Sequence, residues 1–305
     1  MTLSSQPGGR PEQAARLEAL SRLVAEPLSD ATLWRAAGVD PDSMTWSSGD
    51  DWAATHYRVL NHDLMPAAGV FLEERGMLGG VVGRAVHDRM QEAGFLAGPG
   101  SFTPDHAAPE LAFMAHLLQT GQDDLLARFW RGHAAGWMSL LPAVWAAAED
   151  PMFGALSRAL QRSLDDLDVQ TQGIAVTDGS RIPGELASAR IDLDEERVGL
   201  AQIGTFLAVP ARSGLALTRT WMSRAGRRFR LPTGFGSRLQ IAEGLLRSAS
   251  QYDAMADVCA LLDEALDDTA EFWESRLPQD GVWANRWLER LDTTRNVVSR
   301  LRQGA

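Results

Sequence analysis

The sequence predicts an all-α fold, and both composition and hydrophobic periodicity support this prediction. Helix-favouring Ala, Leu, Arg and Glu dominate the 305 residues, whereas Ile, Val, Thr and Tyr are scarce. Apolar residues make up 45% of the chain, so one large domain or two smaller ones can each bury a core. Apolar side chains recur every three or four residues along most of the sequence, as they do in amphipathic helices.

Seven helices are expected before residue 168. Apolar periodicity places them over 11–27, 31–34, 52–64, 70–93, 111–118, 125–147 and 153–167. Asp30 is a suitable N-cap for the second helix, and Gly94 and Gly121 are suitable end signals for the fourth and the fifth. The Asp150-Pro151 pair separates the last two helices, so the seven together predict a compact bundle.

A polar stretch over 169–195, which is rich in Gly, Ser and Thr and contains Pro183, predicts a linker. Five further helices are expected beyond it, over 195–207, 213–225, 236–249, 253–273 and 283–302. The predicted organisation is therefore a helical domain over 1–168, a linker over 169–195 and a C-terminal helical extension or subdomain over 196–305.

Charge is distributed unevenly along a chain whose formal net charge is -11. Residues 1–168 hold 12 arginines against 22 acidic residues, whereas residues 196–305 hold 15 arginines against 13 acidic residues. An acidic first half repels nucleic acid phosphates and favours basic partners such as basic peptides, although solubility alone would also explain it. The sequence therefore predicts no nucleic acid partner.

The sequence also predicts a compartment and the classes of site that are absent. Cys259 is the only cysteine, which excludes an internal disulfide and suits a reducing compartment. The N-terminal residues lack the apolar core of a signal peptide, and no stretch approaches 18 uninterrupted apolar residues. We therefore expect a cytoplasmic protein without stable membrane insertion. Because no P-loop, Rossmann glycine pattern or nucleophile elbow occurs, we expect no cofactor. Because a single cysteine excludes a multi-cysteine zinc site, we also expect no metal.

The most informative segment extends from residue 102 to residue 118. Pro104 and Pro109 stiffen the approach to a helix, Asp105 can cap backbone N–H groups, and Glu110 suits a helix N-terminus. By physical chemistry alone, this segment is a well-capped helix start.

The same segment resembles the signature of the TorD/DmsD/NarJ family of molybdoenzyme maturation chaperones. Its Pro104-Asp105-His106 triplet is followed by Glu110-Leu111 and Phe113-Met114, as in the pattern P-D-H-x-x-x-E-L-x-F-M. Weaker family elements occur in the expected order on both sides, namely Tyr57 and Leu60, the Met65-Pro66 turn, then Phe129, His133 and Trp137, and finally Phe153, Leu156 and Leu160. The resemblance covers residues 12–168. It departs from the family pattern at Thr103 and at residues 67–69.

The resemblance implies a TorD-like helical bundle that is not an enzyme. Such a chaperone binds the twin-arginine signal peptide, or the apo form, of a molybdopterin oxidoreductase, assists cofactor insertion and controls export. A leader with two arginines and an apolar stretch requires carboxylates beside an apolar groove. The predicted peptide contacts are Asp105 for a guanidinium group, His106 and Glu110 for the loop, and Pro104, Tyr57, Pro66, Phe102 and Trp137 around them. Leu64 and Phe71 are further groove candidates, and for these two, as for Phe102 and Trp137, a core position is the stronger expectation. The resemblance also allows a homodimer formed by helix exchange.

Other classes of function remain open at this point. His62-Asp63 and His87-Asp88 resemble part of the H...HD...D set of helical metal-dependent hydrolases. A second metal cluster could combine His106, Glu110, His116 and His133. The absence of E-x-x-H repeats and of H-E-x-x-H disfavours both sites. A helical scaffold or adaptor, whose second half binds a different partner, is the third alternative.

A basic run over 224–230, with the sequence RAGRRFR, precedes a loop that contains Pro232, Gly234 and Gly236. Cations at the C-terminus of a helix, followed by a turn, explain this run. A sharper hypothesis is that the run imitates the paired arginines of the cargo and occupies the acidic groove.

Overall fold

The computed structural model describes residues 9–44, 46, 48–96, 102–174, 176, 191–195 and 197–304. These residues form helices joined by turns, which confirms the predicted all-α class. Within these ranges the extended pairing consists of one isolated antiparallel bridge, between Ala67 and His106. None of the described helices is both long enough and apolar enough to cross a membrane.

Contacts divide the chain into two compact units. The first comprises residues 1–60, 66–68 and 78–183, and the second comprises residues 61–65, 69–77 and 184–305. Both units are discontinuous in sequence, because two short segments near residue 70 belong with the C-terminal part of the chain. The domain boundaries expected at residues 168 and 195 stay a prediction, and residues 177–190 of the expected linker, including Pro183, lie outside the described residues.

The α-helices described up to residue 171 are α1 (Arg10–Ala25), α2 (Ala31–Ala36), α3 (Gly49–Tyr57), α4 (Ala68–Leu72), α5 (Val81–Glu92), α6 (Ala107–Thr120), α7 (Asp123–Phe129), α8 (Ala135–Met138), α9 (Leu141–Ala146) and α10 (Pro151–Thr171). A π-helical turn over Arg58–Asp63 follows α3, and another over Trp130–Ala134 joins α7 to α8. Local end signals act as predicted. Asp30 caps α2 through the N–H groups of Thr32 and Leu33, and left-handed Gly121 ends α6.

Two long helices expected from periodicity are interrupted. The prediction of a single helix over 70–93 is wrong, because α4 ends at residue 72 and α5 begins at residue 81. Gly76 and Gly79 lie between them with φ values of +57° and +66°, a conformation that does not continue a helix. The helix expected over 125–147 is likewise divided into α7, the π-helical turn, α8 and α9. Pro142 stands in the first turn of α9, where its missing N–H is tolerated.

The core of the first unit positions the start of α6. Helix α1 packs along α6 and also contacts α10. Trp52 is fully buried, and its ring centroid lies 6.0 Å from that of Trp34 and 5.3 Å from that of Phe153. The Ser21 hydroxyl on α1 donates to the carbonyl of Ala108 at 2.7 Å. The first turn of α6 is therefore fixed both by apolar packing and by a buried hydrogen bond.

The second unit contains α11 (Leu200–Ala208), α12 (Pro210–Ser213), α13 (Arg219–Arg228), α14 (Arg238–Gln251) and α15 (Met255–Gln303). The helix predicted over 213–225 starts later than expected. Gly214 ends α12 in the left-handed conformation, and the Thr218 side chain caps α13 by accepting the N–H of Trp221 at 3.0 Å.

Helix α15 is a hairpin of two antiparallel limbs. Asp280 has non-helical dihedral angles, with φ of -146° and ψ of 62°. The Trp273 and Trp287 rings stack with centroids 5.6 Å apart, although 14 residues of straight helix would separate them by about 21 Å. Arg295 Nη2 also lies 3.0 Å from Asp267 Oδ1, which is possible only because the chain reverses direction near Asp280. The two helices predicted here are therefore joined by a much tighter connection than expected.

Two arginines hold the connection between α11 and α13. Arg290 donates from Nε to the carbonyl of Ala211 at 2.7 Å, and Arg238 donates to the carbonyls of Ala208 and Leu217. Burial lowers the pKa of both guanidinium groups to about 10, which still leaves them charged at neutral pH. Their charge is stabilised by carbonyl groups at helix ends, which in turn need donors.

Helices α11 and α14 approach so closely that Gly204 has no room for a side chain. A Cβ atom on Gly204 would lie 2.8 Å from the backbone N and 2.9 Å from the Cα of Glu243. We expect Gly204→Ala to lower the free energy of unfolding by about 1–3 kcal/mol, because the α14 backbone must move. Urea unfolding followed by circular dichroism measures this loss.

Gly281→Ala is the matched control for this prediction. A Cβ atom there would meet no atom within 4 Å, so the added methyl group requires no movement of a neighbouring backbone. Losses of equal size in the two variants would contradict the explanation by close helix approach.

Candidate functional site

Two proline-containing segments are joined by backbone hydrogen bonds at the start of α6. The N–H of Ala68 donates to the carbonyl of Asp105 at 2.7 Å, and the N–H of Ala107 donates to the carbonyl of Pro66 at 2.8 Å. These bonds flank the isolated antiparallel bridge described above. The upstream proline turn and the P-D-H triplet, which are well separated in sequence, therefore form one element. We call residues 66–68 and 105–107 the proline bridge.

His106 caps α6 with its imidazole ring. Its Nδ1 accepts the N–H of Ala108 at 3.2 Å, so this nitrogen is unprotonated and Nε2 carries the ring hydrogen. The ring stacks on Phe102 with centroids 4.3 Å apart and planes inclined by 25°. Burial lowers the pKa of His106 to about 4, against an opposing effect of the Asp105 carboxylate. His106 is therefore a neutral cap at physiological pH.

The Asp105 side chain is fully buried beneath a glycine-containing turn. Its Oδ2 accepts the N–H of Gly79 at 3.5 Å, which is a long contact. A Cβ atom on Gly83 would lie 3.2 Å from Asp105 Oδ1, so α5 approaches this closely only because residue 83 lacks a side chain. In the free chain, Asp105 therefore faces the protein interior.

Glu110 lies one turn along α6 and connects this helix to the segment that follows α7. Its Oε1 is 2.8 Å from Nε2 of His133, and its Oε2 accepts the indole N–H of Trp137 at 3.3 Å. All three side chains are fully buried. Burial raises the pKa of Glu110 to about 7, although His133 opposes this shift. The carboxyl group therefore gains and loses its proton close to neutral pH.

Apolar side chains lie at the surface next to the proline bridge. Leu78 and Val81 are 41% and 53% exposed, and they flank Gly79, whose N–H reaches the buried carboxylate. Phe102 and Pro104, in the loop that leads into the bridge, are half-buried. We call these four apolar residues, 78, 81, 102 and 104, the apolar rim.

The structure places the eight predicted contact residues at different depths. Asp105, Glu110, Trp137, Pro66 and His106 are buried, Phe102 and Pro104 are half-buried, and Tyr57 is 58% exposed. The first three have no exposed side-chain surface, so in the free chain they position the loop. Leu64 and Phe71 are also buried, in accord with the expected core positions. Peptide contact by these residues stays a prediction.

The residues considered for a metal site have other partners. In the second unit, Asp63 accepts hydrogen bonds from the N–H of Thr220 at 3.0 Å and from its hydroxyl at 2.8 Å. His62 Nδ1 lies 3.4 Å from Arg219 Nη1. Among the residues that the structure describes, no group of three or more His, Cys, Asp or Glu side chains is arranged to hold a metal ion.

Two features of this site leave little trace in the sequence. The i,i+4 spacing of His133 and Trp137, which puts both on one helix face, is the available signal for their shared contact with Glu110. The roles of Gly79 and Gly83 have no local signal, because they depend on an aspartate that enters the same space from a distant loop.

The all-α fold and the proline bridge are both consistent with the predicted resemblance to helical maturation chaperones. Residues 48–142 match the family model described as the nitrate reductase delta subunit. This segment includes both parts of the proline bridge, the apolar rim and the Glu110–His133 pair. The match supports the predicted resemblance over residues 48–142 to the nitrate reductase delta subunit family, whose members are molybdoenzyme maturation chaperones. No curated protein matches the chain.

Glu110 makes the stability of the fold depend on pH. Its pKa is about 7 in the folded chain against 4.5 ordinarily, so the fold favours the protonated carboxyl group. Its stabilisation of the folded chain is therefore complete below pH 4.5 and is lost as the pH rises through 7. We expect Glu110→Gln to remove this dependence. Between about pH 5 and pH 8, the wild type should lose up to about 3 kcal/mol more unfolding free energy than the variant. Chemical denaturation at both pH values measures the difference.

His106 titrates in the opposite sense and is retained in both proteins. Because its pKa is lowered, the stabilisation that neutral His106 gives to the folded chain is lost as the pH falls from 6.5 towards about 4. Subtracting the two pH profiles cancels this effect. Identical profiles for the wild type and Glu110→Gln would contradict the assignment to Glu110.

Proposed function

We propose that the chain is a chaperone that binds the twin-arginine leader of a molybdoenzyme precursor and retains the precursor until its cofactor is inserted. The family match and the meeting of two family motifs in the proline bridge support this proposal. The proposed client is a nitrate reductase-like molybdoenzyme subunit. The proposed compartment is the cytoplasm, where a precursor is held before export.

The observation that carries the proposal is an exposed apolar surface directly beside a buried carboxylate. A twin-arginine leader offers both guanidinium groups and an apolar stretch. Leu78 and Val81 offer exposed apolar area, and the neighbouring Asp105 offers a carboxylate behind Gly79. The leader would therefore find apolar area at the surface and a carboxylate beneath the adjacent turn, the two chemistries that it requires.

Access to Asp105 requires the turn at residue 79 to move in this proposal. The contact between the Gly79 N–H and the carboxylate is 3.5 Å long, whereas a guanidinium group would form short, charge-assisted hydrogen bonds. Gly76 and Gly79 both have positive φ, and glycine changes between such conformations without a steric penalty. The arriving leader would thus place a charge-assisted hydrogen bond on a carboxylate whose contact with the Gly79 N–H is long.

Titration with a synthetic leader peptide tests the proposal. A labelled peptide with a twin-arginine pair and an apolar stretch should bind the full chain in a fluorescence anisotropy assay. We expect Asp105→Asn to weaken binding by about tenfold through loss of a charge-assisted hydrogen bond. The double variant Leu78→Ser/Val81→Ser should weaken it by a similar factor of about ten, because exposed apolar contact is lost. A peptide with two lysines should bind less tightly, since lysine cannot form bidentate pairs.

Val169→Ser is the matched surface control, because Val169 on α10 is 61% exposed and lies outside the apolar rim. Thermal denaturation verifies that each variant is folded. Wild-type affinity in the folded Asp105 and rim variants would reject this surface as the peptide site. Failure of the wild-type chain to bind any leader would reject the function itself.

A further inference from the structure

Positive charge is concentrated in one stretch of the second unit. Residues 213–252 contain seven arginines and a single acidic residue, Glu243, in a chain whose net charge is -11. That glutamate already pairs with Arg247 at 2.6 Å. The stretch forms α13, α14 and the loop between them, and the two helices pack together. Its excess of charge is therefore gathered on one small part of the unit.

Three arginines at the end of α13 have no acidic partner in the described part of the chain. Arg227, Arg228 and Arg230 are exposed, and no described carboxylate lies within 4.0 Å of their guanidinium nitrogens. Arg228 lies over the ring of Phe229 at 5.5 Å. Clustered, unpaired cations in an acidic protein favour an anionic partner at this surface.

The loop that follows these arginines is anchored at its base. Leu231 is buried, and its N–H donates to the carbonyl of Gly226 at 2.7 Å. The Ser248 hydroxyl donates to the carbonyl of Pro232. Thr233 packs so closely on α13 that a Cβ atom on Gly226 would lie 2.5 Å from its Cγ2. The base of the loop is therefore tied to both α13 and α14.

The tip of the loop presents a fully exposed aromatic ring. Phe235 is 100% exposed, between Gly234 and Gly236 with φ values of +73° and +134°. Leu239 on the first turns of α14 is 38% exposed. Because Phe235 lies five positions after Arg230, their Cα atoms are at most about 18 Å apart. The exposed ring and the end of α13 therefore belong to one short part of the second unit.

We propose that the loop tip and the end of α13 form a docking surface for an anionic lipid bilayer. Phe235 enters the interfacial region, and Arg227, Arg228 and Arg230 contact acidic head groups. Aromatic rings favour the membrane interface, and clustered arginines are attracted to anionic lipid. A bilayer deforms around a protruding ring, whereas a protein or nucleic acid partner would have to supply a pocket for it. The acidic remainder of the chain also opposes binding to nucleic acid.

This docking is reversible and sensitive to salt. Each arginine near an anionic surface strengthens binding by about fivefold, so three arginines contribute a factor of about one hundred. The electrostatic attraction between the arginines and the anionic lipid falls off over about 8 Å at physiological ionic strength. The arginines must therefore lie directly at the membrane surface. The inference does not rest on the proposed leader-binding function, because it concerns residues of the second unit alone.

Vesicle flotation with the full chain tests the inference. The chain should float with vesicles made of equal parts phosphatidylcholine and phosphatidylglycerol, should not float with phosphatidylcholine vesicles, and should be released at about 1 M salt. The triple variant Arg227→Gln/Arg228→Gln/Arg230→Gln should lower partitioning by about one hundredfold. Phe235→Ser should lower it by about tenfold.

Matched controls separate the docking surface from overall charge and overall hydrophobicity. Arg22→Gln/Arg75→Gln/Arg84→Gln changes the net charge equally at exposed arginines outside the stretch, and Leu96→Ser alters an exposed apolar residue elsewhere. Both controls should float like the wild type. Equal losses in the two triple variants would overturn the inference, as would no flotation with anionic vesicles. Displacement of bound vesicles by a single-stranded RNA oligonucleotide at lower concentration would assign the surface to nucleic acid instead.

A fluorescent label reports directly on the loop tip. Because Cys259 is buried, Phe235→Cys places the one exposed thiol of the chain at the tip, where it can carry an environment-sensitive fluorophore. We expect the fluorescence to rise when anionic vesicles are added. Flotation without any change in fluorescence would overturn entry of the tip into the interface.

Discussion

The first unit depends on one constraint, which is that the polar groups at the buried start of α6 must find partners inside the protein. A buried polar group without a partner costs about 1–3 kcal/mol. The proline bridge pairs two carbonyls, His106 caps the N–H of Ala108, and Ser21 donates to the carbonyl of that same alanine. These partners come from different parts of the chain, so satisfying α6 also positions α1 and the upstream proline turn. The family motif is thus first a set of internal hydrogen bonds, and the proposed peptide-binding role would be added to that architecture.

Features with local causes are the ones that the sequence predicts. Asp30 and Gly121 mark helix ends correctly, because capping depends on a few neighbouring residues. The interruption at Gly76 and Gly79 is missed, since apolar periodicity continues across it. The candidate site shows the same contrast between local and long-range causes. The motif identifies Asp105 from neighbouring residues, but the burial of Asp105 depends on the backbone of α5 at Gly83. Long-range contacts of this kind have no pattern in a single sequence.

The two units differ in the surface chemistry that they present. The first unit combines an acidic composition with an apolar rim, whereas α13, α14 and their loop gather unpaired arginines around an exposed phenylalanine. Under the two proposals, one unit would hold a basic leader and the other would contact anionic lipid. The opposite charge balances of residues 1–168 and of residues 213–252 would disfavour binding of each partner by the other part of the chain. Such a chaperone would hold its client close to the bilayer at which export begins.

The discontinuity of the second unit has a consequence for biosynthesis. Asp63 is bonded to Thr220, and 157 residues separate them in the chain. At about 5–20 residues per second, the ribosome needs roughly 10 to 30 seconds to make the intervening stretch. Throughout that interval the Asp63 carboxylate in the nascent chain lacks the N–H and the hydroxyl of Thr220 as hydrogen-bond donors. The second unit therefore cannot form these bonds until residue 220 has been made, and removing α13 would leave Asp63 without the donors of Thr220.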